Sequence, residues 1–144
     1  MGNDPEHADR QRSRGQRAFC SNRGQRGGCG RTVAIFLAEV LPRHSVTAAI
    51  LARLLAGLLS GIALKAAAET LHTPFALETF YRLRRSLRRR LDCLRTQLCR
   101  EQSPPRSRHT EPLLQTAEHL LSVFPAEPCP LTAFQLHFQQ PLLG

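Results

Sequence analysis

Arginines at helical spacing carry the most distinctive chemistry in this chain. Arg82, Arg85 and Arg89 recur at intervals of three and four residues, so on a helix they share one face. Arg84, Arg88, Arg90 and Arg95 fill the flanks of the same segment. A guanidinium group is planar, always charged, and presents its donors in a fork that matches phosphate oxygens and guanine edges. A row of them along one side of a rod predicts contact with double-stranded DNA. Arg82, Arg85 and Arg89 would meet phosphate or bases, with Arg84 and Arg88 as flanking phosphate contacts and Lys65 as a weaker candidate. The bland alternative is a solvated face, because arginine is a good helix former and charge runs keep helices soluble.

Such a row needs a helix to hold it, and residues 62–98 supply one. Phe80, Leu83, Leu87, Leu91, Leu94 and Leu98 fall on one narrow stripe at 100° per residue, opposite the three arginines. Before it, Leu64, Ala67, Ala68 and Leu71 mark a shorter helix whose small residues let another helix cross closely. His72, Thr73 and Pro74 are read as the turn between the two. Thr73 is then the expected N-cap and Pro74 the first helical residue. Short helix, turn and arginine helix together make a helix-turn-helix-like unit.

Charge is unevenly placed along the 144 residues. The formal net charge is +9, with 18 basic residues against 7 acidic in 1–100 and 2 against 4 in 101–144. Contact with a polyanion therefore belongs to the front of the chain. There is no Trp, one Tyr and seven Phe, which argues against aromatic platforms for single strands.

Five cysteines are present, and the N-terminal residues are polar with no apolar signal region. A reducing, cytoplasmic setting and no disulfide framework are the expectation. Cys20 and Cys29 are the candidate metal ligands. Cys29 is followed by Gly30, Arg31 and Thr32, a thiolate and a glycine free to turn backbone N–H groups toward sulfur. Zinc needs two more ligands, and only His7 upstream and His44 downstream offer themselves, so the site is incomplete. Two free thiols are the alternative. Thr32 to Leu37 reads as a strand leaving this segment.

Before the arginine helix, Ser45 is expected to cap a helix running to about Leu59. Its residues Ile50, Leu51, Leu54, Leu55, Leu58 and Leu59 form an apolar half, and Arg53 faces the other way. A membrane span over 46–64 is the rival reading. Arg53 near its middle, at a cost of roughly 2.5–3.5 kcal/mol, and the amphipathic stripe favour a core helix and no membrane. After the arginine helix, 101–109 is a linker rich in Pro and Ser. Thr110 then caps a helix with Leu113, Leu114, Ala117, Leu120, Leu121 and Phe124 on its apolar side. Leu131 to Phe138 fits either a helical turn or a short strand. This tail is apolar enough to fold back on the helical unit or to join a partner chain.

The expected fold class is thus mainly α: a three-helix, helix-turn-helix-like unit over 41–100. A disordered basic arm (1–17) and a partial zinc-ribbon-like segment (18–40) precede it, and a linker (101–109) and a short helical tail (110–144) follow. The run of Cys29-Gly30-Arg31-Thr32, Leu41-Pro42-Arg43, a leucine-rich helix and a Pro74-led arginine helix resembles the N-terminal regions of bacterial insertion-sequence, transposase-like proteins. That resemblance covers roughly residues 18–91. It implies a four-cysteine zinc ribbon followed by a helix-turn-helix that grips transposon ends. The first cysteine pair is absent here, and Val33 stands where an aromatic residue is usual.

No catalytic constellation emerges. Two-metal chemistry needs converging carboxylates, and the aspartates are Asp4, Asp9 and Asp92, two in the arm and one among arginines. The reading is a DNA-binding protein related to mobile elements, without its own catalytic domain, partnered by duplex DNA and by a homo-oligomer or a separate transposase chain. Three alternatives stand beside it. One is a helical interaction module pairing through Leu83, Leu87, Leu91, Leu94 and Leu98. The others are a membrane-associated basic protein and a truncated, non-functional reading frame.

Overall fold

The computed structural model describes residues 2–4, 7–12, 14–21, 27–125 and 129–144. Among them it places four strands and five helices in the order β1 (Gly2–Asp4), β2 (His7–Arg12), β3 (Gly15–Phe19), β4 (Thr32–Phe36), α1 (Ala48–Leu59), α2 (Leu64–Thr70), α3 (Leu77–Glu101), α4 (Pro112–Val123) and α5 (Pro130–Phe138). The protein is therefore mainly helical. Residues 22–26, the Arg- and Gly-containing insertion between Cys20 and Cys29, lie outside the described residues, as does Pro128.

The strands form two separate antiparallel ribbons, β1 with β2 and β3 with β4. The basic arm, expected to lack structure, thus pairs its own backbone over 2–4 and 7–12. Ladder bonds between polar strands need no apolar side chains, and apolar pattern was the only strand signal available in the sequence. In the second ribbon the register runs from Gly15 opposite Phe36 to Phe19 opposite Thr32. At Gly15 a Cβ would lie 2.0 Å from the Ile35 carbonyl oxygen, so only glycine fits that close approach. Phe19, Val33, Ile35 and Phe36 of this ribbon are exposed. Its base is tied down by Arg14, which donates to the Leu41 carbonyl at 3.0 Å and to the His44 carbonyl.

Helix α1 starts later than the sequence suggested. Val40 bridges Thr47, and the Ala48 N–H donates to the Glu39 carbonyl at 2.9 Å, which keeps the backbone extended through Thr47. Thr47, not Ser45, is the N-cap, its hydroxyl accepting from the Ile50 N–H at 3.5 Å. The expected apolar face is buried at Ile50, Leu51, Leu54, Leu55 and Leu58, while Arg53 is exposed. No helix among the described residues is long and apolar enough to cross a membrane. Gly57 lets α2 approach: a Cβ there would stand 3.1 Å from the Ala67 methyl carbon.

The connection from α2 to α3 runs from 71 to 76, longer than the turn expected at 72–74. Pro74 pushes Thr73 toward extended backbone, His72 adopts a left-handed φ of 49°, and Phe75 packs against the core before the helix can begin. Ala76 occupies the cap position with no side-chain bond, and the first helical residue is Leu77. Thr73 caps nothing. Helix α3 then continues for 25 residues, roughly 37 Å at 1.5 Å per residue. Phe80, Leu83, Leu87, Leu94 and Leu98 are buried along it, with Leu91 at the margin.

The segment beyond the linker folds back. Leu113, Ala117 and Leu120 of α4 meet Leu87, Leu91 and Leu94 of α3, and Leu55 of α1, Leu131 of α5 and Leu142 close the same apolar cluster. Residues 130–138 are helical, which settles the ambiguity over Leu131 to Phe138. Glu111, rather than Thr110, stands at the cap position of α4, and Pro112 fills its first turn. Gln135 is buried together with the polar side chains of Thr116 and His119. Its amide nitrogen donates to the carbonyls of Ala38 (2.5 Å) and Val40 (3.0 Å), and its amide oxygen accepts from the Leu142 N–H at 2.9 Å. One side chain thereby joins the chain before α1 to α5 and to the C-terminal residues.

Candidate nucleic-acid interface

The side of α3 opposite its buried stripe is a ridge carrying Glu78, Arg82, Arg85, Arg89, Asp92, Thr96 and Arg100, all exposed. The leucines fix its direction. Because they are locked in the core, rotation of α3 about its axis would expose apolar surface, so the ridge is held facing solvent.

The ridge arginines differ in their commitments. Arg82 Nε lies 3.6 Å from Glu78 Oε1 one turn earlier, with both side chains well over half exposed. Such a pair contributes only about 0.2–0.5 kcal/mol and yields readily to a phosphate. Arg85 and Arg89 make no ion pair or side-chain hydrogen bond among the described residues. Arg100 lies five turns beyond Arg82 on the same line. The sequence reading stopped at Arg89 and missed it, although the helical period continues to it.

Two of the predicted contact residues are engaged elsewhere. Arg84 donates to both carboxylate oxygens of Glu111, at 2.9 and 3.1 Å, and Arg88 donates to one of them at 2.7 Å. The Arg88 hydrogen bond, opposed by burial and reinforced by Arg84, holds the Glu111 carboxyl below the ordinary carboxylate range. These two guanidiniums clasp the start of α4 onto α3 instead of standing free for DNA. Arg90 is half-buried against Gly144 at the C-terminus, its Nε without a partner. Lys65 is exposed on α2.

Cys20 and Cys29 are brought together at the tip of the β3–β4 ribbon. The Cys29 N–H donates to the Cys20 sulfur at 3.3 Å. That bond, and a further one from the Cys29 thiol, draws the Cys20 thiol below its ordinary value. Structural zinc requires four ligands, and no group of three or more His, Cys, Asp or Glu side chains converges among the described residues. Two sulfurs alone do not fit a closed zinc site. His44 sits at the other end of the ribbon, where its carbonyl accepts from Arg14, and the His7 side chain lies outside the described part.

Comparison with protein-family models, curated proteins and solved structures returns no match. The functional reading therefore stands on the residues of this chain.

Proposed function

We propose that this protein binds double-stranded DNA through the exposed ridge of α3, with Arg82, Arg85 and Arg89 contacting phosphates or base edges and Arg100 extending the contact. The observation that carries the proposal is the state of Arg85 and Arg89. They are exposed, unpaired, and aimed outward from a helix whose other side is anchored by five buried side chains. Unpaired guanidiniums on a rigid rod have no ion pair to give up on meeting a phosphate row, and the planar fork of each makes two hydrogen bonds from one ordered side chain. The relation to mobile-element proteins rests on the motif resemblance alone. In that setting the chain would be a DNA-gripping module.

The rival reading, a module pairing through Leu83, Leu87, Leu91, Leu94 and Leu98, loses its surface, because the chain's own α1, α4 and α5 occupy it. The deciding experiment is duplex binding measured across salt concentrations. Phosphate contacts by Arg82, Arg85 and Arg89 predict a log–log slope of about −2.7, that is about −0.9 for each, and Arg100 as a fourth contact brings it to about −3.6. Affinity that is absent at low salt, or a slope near zero, overturns the proposal.

A further inference from the structure

The two thiols at the tip of the β3–β4 ribbon take no part in the ridge on α3, and their geometry suits a different chemistry. Cys20 sits where the ladder ends, its N–H donating to the Arg31 carbonyl at 2.9 Å and its carbonyl accepting from the Gly30 N–H at 2.8 Å. Those two bonds set its backbone opposite Gly30 and Arg31, the residues that follow Cys29. The Cys29 N–H then donates to the Cys20 sulfur at 3.3 Å. Gly28 makes the approach feasible. A Cβ at that position would lie 1.9 Å from the Ser21 carbonyl oxygen and 3.1 Å from the Cys20 sulfur. Both cysteines are exposed, whereas Cys93 is half-buried and Cys129 buried. Cys99, also exposed, lies on α3 away from this tip.

We propose that Cys20 and Cys29 are a reversible redox dithiol that closes a disulfide across the ribbon tip by exchange with a low-molecular-weight disulfide such as oxidised glutathione. The Cys20 thiolate attacks one sulfur of the small disulfide. That S–S bond breaks, a mixed disulfide forms on Cys20, and the first small thiolate leaves and takes up the proton Cys20 released. The Cys29 thiolate next attacks the Cys20 sulfur, the mixed disulfide breaks, and the second small thiol departs with the proton from Cys29. Two protein thiols are oxidised by two electrons, and one small disulfide is reduced to two thiols. Cys20 is the attacking sulfur because a backbone N–H is aimed at it and stabilises its anion. Cys29, whose backbone supplies that N–H, is the resolving one. The ladder bonds of Cys20 hold its sulfur against the Cys29 backbone, on a ribbon that shares no strand with the rest of the fold.

The test equilibrates the full chain with glutathione at graded ratios of oxidised to reduced form, quenches with acid, alkylates, and maps the five cysteines by mass spectrometry. The expected result is loss of two thiols per chain in an intramolecular Cys20–Cys29 link, with Cys93, Cys99 and Cys129 still alkylated. Cys29→Ser should stall with glutathione on Cys20. Gly28→Ala should give at least tenfold less of the closed disulfide relative to the dithiol at the same ratio. Full alkylation of Cys20 and Cys29 at every ratio overturns the proposal, as do links that run between chains. Protection of both thiols by one equivalent of zinc under reducing conditions also counts against it, by assigning the pair to a metal.

Discussion

Arg88 donates to the Glu111 carboxylate at 2.7 Å, tying the middle of α3 to the residue that precedes α4. With Arg84 bound to both oxygens of the same group, one acidic side chain holds two guanidiniums against the tail. Removing Glu111 leaves two positive groups side by side and releases the first turn of α4. Glu111→Gln should therefore destabilise the fold by about 1 kcal/mol, the scale of a partly exposed charged network, read as a shift in the denaturant midpoint with an unchanged m-value. The acid dependence has a definite sign. Arg88 lowers the folded-state pKa of Glu111, so its contribution is present above the ordinary carboxylate value and disappears as pH falls through the lowered one. Wild type and Glu111→Gln should converge in stability under strongly acid conditions. A constant gap across the whole range would show that the carboxylate charge is not what holds α4.

The same clasp divides the arginines of α3 into two functional classes. Arg85→Ala with Arg89→Ala should leave stability within about 0.5 kcal/mol and reduce the magnitude of the salt slope of duplex binding by about 1.8. Arg84→Ala with Arg88→Ala should do the opposite, lowering stability while leaving the slope near its original value. Equal effects of the two pairs on the slope would mean that Glu111 lets go of its partners on DNA.

How much of this could be read in advance follows from the range of each interaction. The stripe from Phe80 to Leu98 and the outward direction of Arg82, Arg85 and Arg89 were legible, since both depend only on the helical period. The helix starts were not. Thr47 replaces Ser45 because of a bridge to Val40, and Leu77 replaces Pro74 because Phe75 is drawn into the core. The engagement of Arg84 and Arg88 depends on a residue 27 and 23 positions away, and nothing local marks it. Cys20 and Cys29 are nine positions apart, yet the return of the β3–β4 ribbon brings the Cys29 N–H to the Cys20 sulfur. Spacing along the chain is a poor guide once strands turn back on each other.

Metal content gives an independent check of that pair. Protein purified without a tag, under reducing conditions, should hold less than roughly a tenth of an equivalent of zinc, because two thiols cannot supply a closed tetrahedral site. Stoichiometric zinc that resists dialysis would require ligands beyond those the described residues bring together.

His44 supplies a pH dependence in a different range. Burial, and then the nearby Arg14 charge, lower its pKa from the ordinary value of 6.5. In the unfolded chain the imidazole takes up a proton as pH falls below that value, while the folded chain resists it. Acidification from pH 7.5 to 5.5 should therefore destabilise the protein, and His44→Gln should flatten that part of the stability curve. Greater stability at pH 5.5 than at 7.5, lost in His44→Gln, would reverse the assignment.

A severe loss of stability should follow substitution of Gln135. Its amide serves two carbonyls before α1 and one N–H near the C-terminus, with the side chain buried. Gln135→Leu keeps the volume but removes every partner at once, and each buried polar group left unpaired costs about 1–3 kcal/mol. Water can reach some of these groups after local loosening, so a loss of about 2–4 kcal/mol is expected. The neighbouring change Leu136→Gln, on an exposed position of the same helix, should stay within about 0.5 kcal/mol. Hydrogen exchange gives the sharper readout, because only a lost anchor at Gln135 would release the amide of Leu142 while the amides inside α3 keep their protection. If Leu142 stays protected in Gln135→Leu, the C-terminal residues are held by Leu142 and Leu143 packing alone, and the polar link across the fold is dispensable.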